Sequence, residues 1–331
     1  MKKKGLAALA ILVLMAVLLP GCGKSNGNLI KVQLNEVAHS IFYAPQYVAI
    51  EQGYFKDEGL DVKLVNGLGA DKTMTAVLSG DADIGFMGPE ATVYVYNEGK
   101  EDYVVNFAQL TQRAGNFLVT KDKNETFTWD NVKGKTIVGG RAGGMPQMVL
   151  EYILKKNGIN PKEDLTIVQN IDFGLTAQAF TAGTGDYTME FEPGATALEK
   201  EGTGKVVASL GVESGKVPYT AYAAKKSYIE KNSEVIQKFT NAIQKGLNYV
   251  NAHSPEEIAK VIAPQFKETD ADTVQSIVTR YYEQGTWKDN TVFEEESFNL
   301  LQDILQEAGE LSVRAPYDDL INTEFSTKTA E

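Results

Sequence analysis

Cysteine and histidine are almost absent from this chain of 331 residues. The single cysteine is Cys22, so the rest of the chain has no disulfide and no thiol nucleophile. The two histidines, His39 and His253, belong to no HExxH motif and no Cys/His cluster, and no GxSxG motif occurs. These absences argue against a zinc site and against a nucleophilic enzyme, and we predict neither a metal nor a cofactor.

Basic residues are also scarce relative to acidic ones. The chain has 32 Lys and Arg against 44 Asp and Glu, a formal net charge of -12. The first 21 residues hold three of the lysines and no acid, so residues 22–331 carry 32 − 3 = 29 basic and 44 acidic groups, or -15. No Lys/Arg-rich stripe offsets this charge. A surface of this kind repels phosphates, and nucleic-acid binding is not expected.

The N-terminus has the pattern of an export signal. MKKK is followed by the apolar run GLAALAILVLMAVLL, which is shorter than the roughly 20 residues of a membrane span. The sequence Leu19-Pro20-Gly21-Cys22 then resembles the lipobox of bacterial lipoproteins. We predict a signal peptide over 1–21, a lipidated Cys22, a polar tether over 22–28 and an extracytoplasmic, membrane-anchored body. The alternative is an uncleaved anchor with an incidental cysteine.

Beyond the tether, strand and helix patterns alternate. Strands are predicted at 29–36, 61–65, 82–87 and 103–110, separated by helices at 45–56, 71–80 and 90–99, and a similar alternation continues to residue 215. From residue 233 the apolar spacing is mainly helical. Short strands alternating with helices favour βαβ units and parallel sheets, and the two runs predict two α/β lobes.

Candidate ligand-binding residues lie in the loops that follow these strands, because open α/β sheets bind ligands beyond the carboxyl ends of their strands. The loop GGRAGGMPQ could present free N–H groups at a helix start, although a tight strand-to-helix turn explains it as well. The candidates are His39, Ser40, Phe42, Tyr43, Glu90, Gln109, Arg113, Asn116, Arg141, Gly143, Gly144, Asp172 and Glu192.

Three segments carry a resemblance to a known family: HSIFYAPQYVAIEQGYFKDEGLDVKLV (39–65), LSGDADIGFMGPEA (78–91) and VKGKTIVGGRAGG (132–144). They resemble solute-binding proteins of ABC importers, in the branch for nitrate, alkanesulfonate, taurine and thiamine-pyrimidine precursors. The resemblance covers about residues 30–230 and implies an α/β, two-lobed periplasmic-binding-protein-like (type II) clamp. It implies parallel-type sheets, two crossover strands and a helical C-terminal extension, with lobe 1 formed by 29–112 and 220–331 and lobe 2 by 113–219.

The resemblance also implies a cleft between the lobes. Phe42 and Tyr43 are expected to stack on a flat solute there, while Glu90 and Glu192 accept its N–H donors. Polar contacts are expected from Gln109, Arg113 and Asn116 near the hinge, and backbone N–H groups from Gly143 and Gly144. Glu192 could instead cap the turn that follows it.

The segment Ala142-Gly143-Gly144-Met145 departs from the sulfonate and nitrate pattern, which commonly has a Ser or Thr there. A small, flat, nitrogen-containing solute such as a thiamine-precursor pyrimidine is therefore expected, delivered by a monomer to an ABC permease and its ATPase. The alternatives are an alkanesulfonate, taurine or nitrate binder, a solute sensor, and a pyrimidine-synthase-like enzyme that would use His39.

Overall fold

The structure, a computed structural model, describes residues 28–172 and 174–330, so the signal segment and Cys22 lie outside the described residues. Strands are found in every predicted region of the first 225 residues. They are β1 Ile30–Glu36, β2 Leu60–Asn66, β3 Ile84–Met87, β4 Val104–Thr111, β5 Asn116–Thr120, β6 Thr136–Val138, β7 Thr166–Val168, β8 Tyr187–Phe191, β9 Lys205–Ser209 and β10 Thr220–Lys225.

Within the described residues these strands form two five-stranded sheets, ordered β2-β1-β3-β10-β4 and β7-β6-β8-β5-β9. The predicted two-lobed clamp is confirmed, but the sheets are mixed and not parallel throughout. Strand β10 runs antiparallel to β3 and β4, and β5 runs antiparallel to β8 and β9. Both antiparallel strands directly follow a crossing between the sheets, so each enters its sheet from the hinge and runs against its neighbours.

Helices cover the sheets and extend beyond them. They are α1 Ala44–Glu51, α2 Tyr54–Asp57, α3 Ala70–Ser79, α4 Glu90–Asn97, α5 Met145–Lys156, α6 Thr176–Thr181, α7 Gly194–Lys200, α8 Leu210–Ser214, α9 Lys226–Lys231, α10 Ser233–Ala252, α11 Pro255–Ile262, α12 Ala271–Glu283, α13 Glu295–Ala308, α14 Tyr317–Leu320 and α15 Glu324–Ala330; short 3-10 turns lie at Ile41–Tyr43, Trp129–Val132 and Ala263–Gln265. The helix predicted over 45–56 is two helices, because Gly53 adopts a left-handed φ of 76° between them.

The C-terminal helices contact both lobes, which the sequence pattern did not predict. Helix α10 packs on α1 in the first lobe, and α13 packs on α5 in the second. Helix α12 lies beside the crossover: the Tyr281 hydroxyl donates to the Gly115 carbonyl (2.7 Å), and the Gln284 amide donates to the Ala114 carbonyl (3.2 Å). Helix α12 therefore joins the crossover to the first lobe.

Candidate functional site

The carboxyl group of Glu90 lies where the two lobes meet. Glu90 begins α4 directly after β3, is 3% exposed, and its Oε1 accepts the Met145 N–H from the start of α5 over a long 3.4 Å. Its Oε2 is buried and has no hydrogen-bond partner among the described residues. Burial raises the pKa of Glu90 to about 7, and the backbone N–H groups of Glu90 and Met145 limit the rise.

Two tyrosines accompany this carboxyl group. Tyr43 is 2% exposed, and its ring packs edge-on against Phe86 with centroids 4.5 Å apart. Tyr219 precedes β10, and its hydroxyl donates to Asn116 Oδ1 (3.3 Å). Burial raises the pKa of both tyrosines well above the usual value, and Glu90 adds to both shifts. Tyr43, Glu90, Asn116 and Tyr219 therefore form one buried group, which we call the Glu90 cluster.

Two buried amides have unused hydrogen-bonding capacity. Asn116 is 1% exposed, and among the described residues its Nδ2 reaches only the Met189 sulfur, a weak acceptor, at 3.5 Å. Gln109 is also 1% exposed; its Nε2 donates to the Thr111 carbonyl (2.9 Å), and its Oε1 has no partner in the described part of the chain. Both were predicted as ligand residues, and a polar solute could satisfy them.

Phe42 is fully buried and is surrounded by other rings. Its centroid lies 5.0 Å from Tyr43, 5.8 Å from Phe191, 5.7 Å from Tyr219 and 5.2 Å from Tyr281. These neighbours come from both lobes and from α12. Phe42 thus packs the boundary between the lobes, and its predicted role in stacking on a solute is better suited to Tyr43.

Glu192 has a different environment from Glu90. Its carboxylate accepts the Thr196 N–H and hydroxyl (2.9 Å each) and pairs with Arg280 Nη1 at 2.5 Å. Burial raises the pKa of Glu192, whereas the Thr196 N–H and the Arg280 guanidinium limit the rise. Both oxygens are occupied by protein groups, which corresponds to the capping alternative. We therefore do not retain Glu192 as a solute contact.

The glycine loop does not present the expected N–H groups. The Gly143 N–H donates to Gln147 Oε1 (3.1 Å), and the Gly144 N–H donates to the Arg141 carbonyl (3.2 Å) within a turn. The N–H that faces the first lobe is instead that of Met145. The donor therefore lies one to two residues after the predicted glycines, because the chain turns at Gly143, where φ is 72°.

This loop also makes contacts between the lobes. The Tyr94 hydroxyl from α4 donates to the Gly143 carbonyl (2.9 Å). Arg141 forms an ion pair with Asp71 at the start of α3, and both side chains are exposed (58% and 43%). Arg141 is thus placed at the surface rim and points to the other lobe.

His39 and Ser40 lie in the loop after β1 and are engaged by protein groups. His39 Nδ1 pairs with Glu36 (2.7 Å), and its Nε2 lies 3.0 Å from the Gln265 carbonyl. The Glu36 hydrogen bond raises the pKa of His39, against the effect of burial. The Ser40 hydroxyl donates to the Glu192 carbonyl (2.7 Å), another contact between the lobes. Neither residue contributes a free polar group to the Glu90 cluster.

The two remaining predicted residues lie away from the cluster. Arg113 is half-buried at the crossover and donates from Nη1 to the Gly211 carbonyl (3.0 Å). Asp172 is exposed in the loop after β7. Within the described residues, no group of acidic or histidine side chains could hold a metal ion, and no helix has the length and apolar content needed to span a bilayer.

Tyr219 and Glu190 were missed by sequence reasoning. Tyr219 directly precedes a strand, at the predicted end of lobe 2, so nothing in the local sequence marked it as a ligand residue. Glu190 is buried inside β8, where its oxygens accept the hydroxyls of Thr176 (3.1 Å) and Thr188 (2.6 Å). Burial raises its pKa to about 7, against these hydroxyl bonds. An acid inside the apolar run YTMEF was the available signal.

The comparisons with known proteins agree with this architecture. The family described as NMT1/THI5 like matches residues 41–258. The Bacillus subtilis (strain 168) protein provisionally named binding protein YtlA is 48% identical over 305 residues, covering 92% of this chain and 91% of that protein. The chain belongs to the NMT1/THI5-like family. This result confirms the resemblance carried by the motifs. A more distant relative is the 4-amino-5-hydroxymethyl-2-methylpyrimidine phosphate synthase THI11 of Saccharomyces cerevisiae (strain ATCC 204508 / S288c). It is 25% identical over 223 residues, which cover 64% of each chain.

Several solved structures of similar fold are described as binding proteins. The ligand-binding component of an ABC-type import system from Staphylococcus aureus aligns with a TM-score of 0.74 at 14% identity, covering 91% of this family member and 99% of that chain. The alkanesulfonate-binding protein SsuA from Xanthomonas axonopodis pv. citri aligns with a TM-score of 0.72 at 14% identity, covering 90% and 99%. At these identities the likeness establishes the periplasmic-binding-protein fold.

Proposed function

We propose that this protein is the extracytoplasmic solute-binding component of an ABC importer and that it closes on a small, flat, nitrogen-containing solute. The observation that carries the proposal is the buried Glu90 carboxyl between the lobes, with one oxygen unpartnered among the described residues and with Tyr43 and Tyr219 beside it. A buried polar atom without a partner is costly, so a solute that supplies one stabilises the closed form.

An aminopyrimidine suits these groups. Its flat ring matches the aromatic side chains, its amino N–H can reach a carboxyl oxygen, and one of its two ring nitrogens can accept from the Asn116 amide. The distant relatives named as pyrimidine phosphate synthases support this class of solute. A sulfonate or nitrate would place its charge beside the Glu90 carboxyl, with no cationic side chain hydrogen-bonded to that carboxyl in the described residues.

Delivery requires a membrane partner. We propose that lipid on Cys22 tethers the protein outside the cytoplasm and that the closed lobes are recognised by a permease with its ATPase. The similarity to the import component of Staphylococcus aureus supports this assignment. Cells carrying Cys22→Ser are expected to release the protein from the membrane fraction, and a variant retained as firmly as wild type would contradict the lipid anchor.

The direct test is a ligand panel. The full-length protein is purified in detergent, unfolded and refolded to remove carried solute, and its melting temperature is measured with aminopyrimidines, thiamine, taurine, alkanesulfonates and nitrate. Solute at a hundred times its dissociation constant adds about 2.7 kcal/mol of stability. We expect a rise with an aminopyrimidine, lost in Glu90→Leu and retained in the control Glu190→Gln. A rise with sulfonate or nitrate alone would overturn the solute class.

A sulfonate or nitrate binder remains the second candidate. The Met145 N–H at the start of the 12-residue helix α5 is a donor that faces the boundary between the lobes and could bind an oxyanion. The fold likeness to an alkanesulfonate-binding protein agrees with it. The same panel separates the two candidates, because an oxyanion would raise the melting temperature without any aminopyrimidine effect.

A further inference from the structure

The buried carboxyl groups of this protein differ in how they are stabilised. Glu36, Glu190 and Glu192 each have a hydrogen-bond partner at both oxygens, and Glu192 also has a guanidinium. Glu151 in α5 lacks a partner at Oε2 among the described residues, as Glu90 does, but its Oε1 accepts a close hydrogen bond from the Gln147 amide. Glu90 receives one long N–H bond at one oxygen and none at the other within the described chain. Such an environment stabilises a carboxylate anion poorly.

The groups around Glu90 supply no positive charge that is bonded to it. The titratable side chains coupled to it are three tyrosines from three segments: Tyr43 from the turn after β1, Tyr94 from α4 itself and Tyr219 from the segment before β10. Charged side chains beside α4 also form no hydrogen bond with Glu90 in the described structure: Asp71 and Lys72 in α3, Asp318 and Asp319 in α14, and Glu310 just after α13.

An uncharged carboxylic acid in this position offers one donor and one acceptor on adjacent atoms. An amino-azine, in which an amino group is attached beside a ring nitrogen, offers the complementary acceptor and donor. The two therefore form a pair of parallel hydrogen bonds that leaves no charge buried. A simple ammonium offers only donors, and an oxyanion offers only acceptors.

We propose, on the basis of the proposed function, that Glu90 and the solute share one proton: the carboxyl O–H donates to a ring nitrogen, and the second carboxyl oxygen accepts the adjacent amino N–H. The solute class is thereby narrowed to amino-azines with these two groups side by side. The Glu90 side chain then determines specificity through its protonated form, and the tyrosines contact the ring.

Binding is consequently linked to pH. The complex contains one proton between Glu90 and the solute, and this proton is taken from solvent when both partners are deprotonated beforehand. Because burial raises the pKa of Glu90 to about 7, affinity should be nearly constant between the pKa of the solute's ring nitrogen and about pH 7, and it should fall about tenfold per pH unit above that range. A cationic amine would show the opposite trend.

The test is calorimetric titration of the full-length protein with 4-amino-5-hydroxymethyl-2-methylpyrimidine at several pH values from about 6 to about 9. Glu90→Gln keeps a donor and an acceptor side by side without an ionisable group, so we expect it to bind with an affinity independent of pH. Glu90→Leu should lose at least about 100-fold in affinity. Glu190→Gln is the matched control, since Glu190 titrates in the same range but lies in lobe 2, bonded to Thr176 and Thr188; this variant should keep the wild-type pH profile.

Above about pH 7, wild type should take up nearly one proton for each solute bound, and Glu90→Gln should take up none. This result would support the shared proton. Binding by wild type that is unaffected by pH, or that strengthens as pH rises, would overturn the shared proton while leaving the aminopyrimidine assignment intact. Loss of the pH profile in Glu190→Gln would move the effect to lobe 2 and overturn the assignment to Glu90. Absence of binding by any aminopyrimidine at every pH would overturn the proposed function and this inference with it.

Discussion

The lobes meet along two edges that are built differently. Beside α12, two buried groups have protein partners: the Glu192 carboxylate pairs with Arg280, which is 35% exposed, and the Tyr281 hydroxyl donates to the Gly115 carbonyl. Beside α4, the contacts are a long N–H bond to Glu90, a half-buried bond from the Tyr94 hydroxyl to the Gly143 carbonyl (2.9 Å) and the exposed Arg141 to Asp71 ion pair. We call these the α12 edge and the α4 edge. The difference indicates that the α12 edge anchors the crossover, whereas the α4 edge is where a solute can add binding energy.

The largest effect is expected at the α12 edge. Arg280→Met removes the cation that pairs with the buried Glu192 carboxylate, so the free energy of unfolding should fall by about 3 kcal/mol near neutral pH. Urea denaturation measures this change. The control is Lys260→Met: its pair with Glu256 is exposed on both sides (71% and 57% exposed), so this variant should leave the free energy of unfolding nearly unchanged. Equal effects of the two variants would show that the Arg280 to Glu192 pair stabilises the protein no more than an exposed surface pair does.

At the α4 edge, we expect the replacement of Glu90 to raise the free energy of unfolding, whereas Arg280→Met lowers it. Its pKa is raised from 4.5 to about 7 in the folded protein, so the folded state binds the proton more tightly than the unfolded state. Its contribution to stability therefore falls as pH rises from about 4.5 to about 7, by up to about 3 kcal/mol. Glu90→Gln should unfold with a higher free energy than wild type near pH 8 and with a similar one near pH 5. In the control, Glu310→Gln, the carboxyl is exposed, and no pH-dependent gain is expected; a flat result for both would show that Glu90 is not destabilised by charge.

A larger side chain at Gly115 tests how rigidly Phe42 is packed near the α12 edge. A Cβ atom at Gly115 would lie 2.6 Å from the Phe42 ring, which is fixed by four aromatic neighbours. Gly115→Ala should therefore lower the free energy of unfolding by about 2 kcal/mol, measured by urea denaturation. Gly194→Ala, where the nearest atom is at 3.4 Å, is the comparison and should change stability by less than about 1 kcal/mol. A tolerated Gly115→Ala would mean that Phe42 can move.

The smallest effect is expected for the exposed ion pair of the α4 edge. Arg141→Ala should change the free energy of unfolding by no more than about 0.5 kcal/mol, and the change should shrink at high salt because solvent screens the pair. Thermal unfolding at low and high ionic strength measures both quantities. A change as large as that of Arg280→Met would show that the α4 edge is also an anchor.

Much of the fold could be predicted from the alternation of strands and helices, and the motifs indicated the family. The role of Phe42 could not be predicted from its neighbours in the sequence. Phe42 and Tyr43 both follow β1, but Phe42 packs at the boundary between the lobes. Rings that are distant in the chain place it there, namely Phe191, Tyr219 and Tyr281. Glu192 shows the same limit, because its partner Arg280 is 88 residues away in the chain.

The sequence by itself determined the two α/β lobes and the loops in which polar residues cluster, because hydrophobic periodicity and turn chemistry are local properties. Only the tertiary structure decided which of two similar glutamates remains available for a solute. Glu90 and Glu192 both follow a strand and lie at the start of a helix, Glu90 as the first residue of α4 and Glu192 two residues before α7, but burial and partners depend on residues that are distant in the chain. A guanidinium from α12 satisfies one carboxylate, and nothing comparable reaches the other within the described structure.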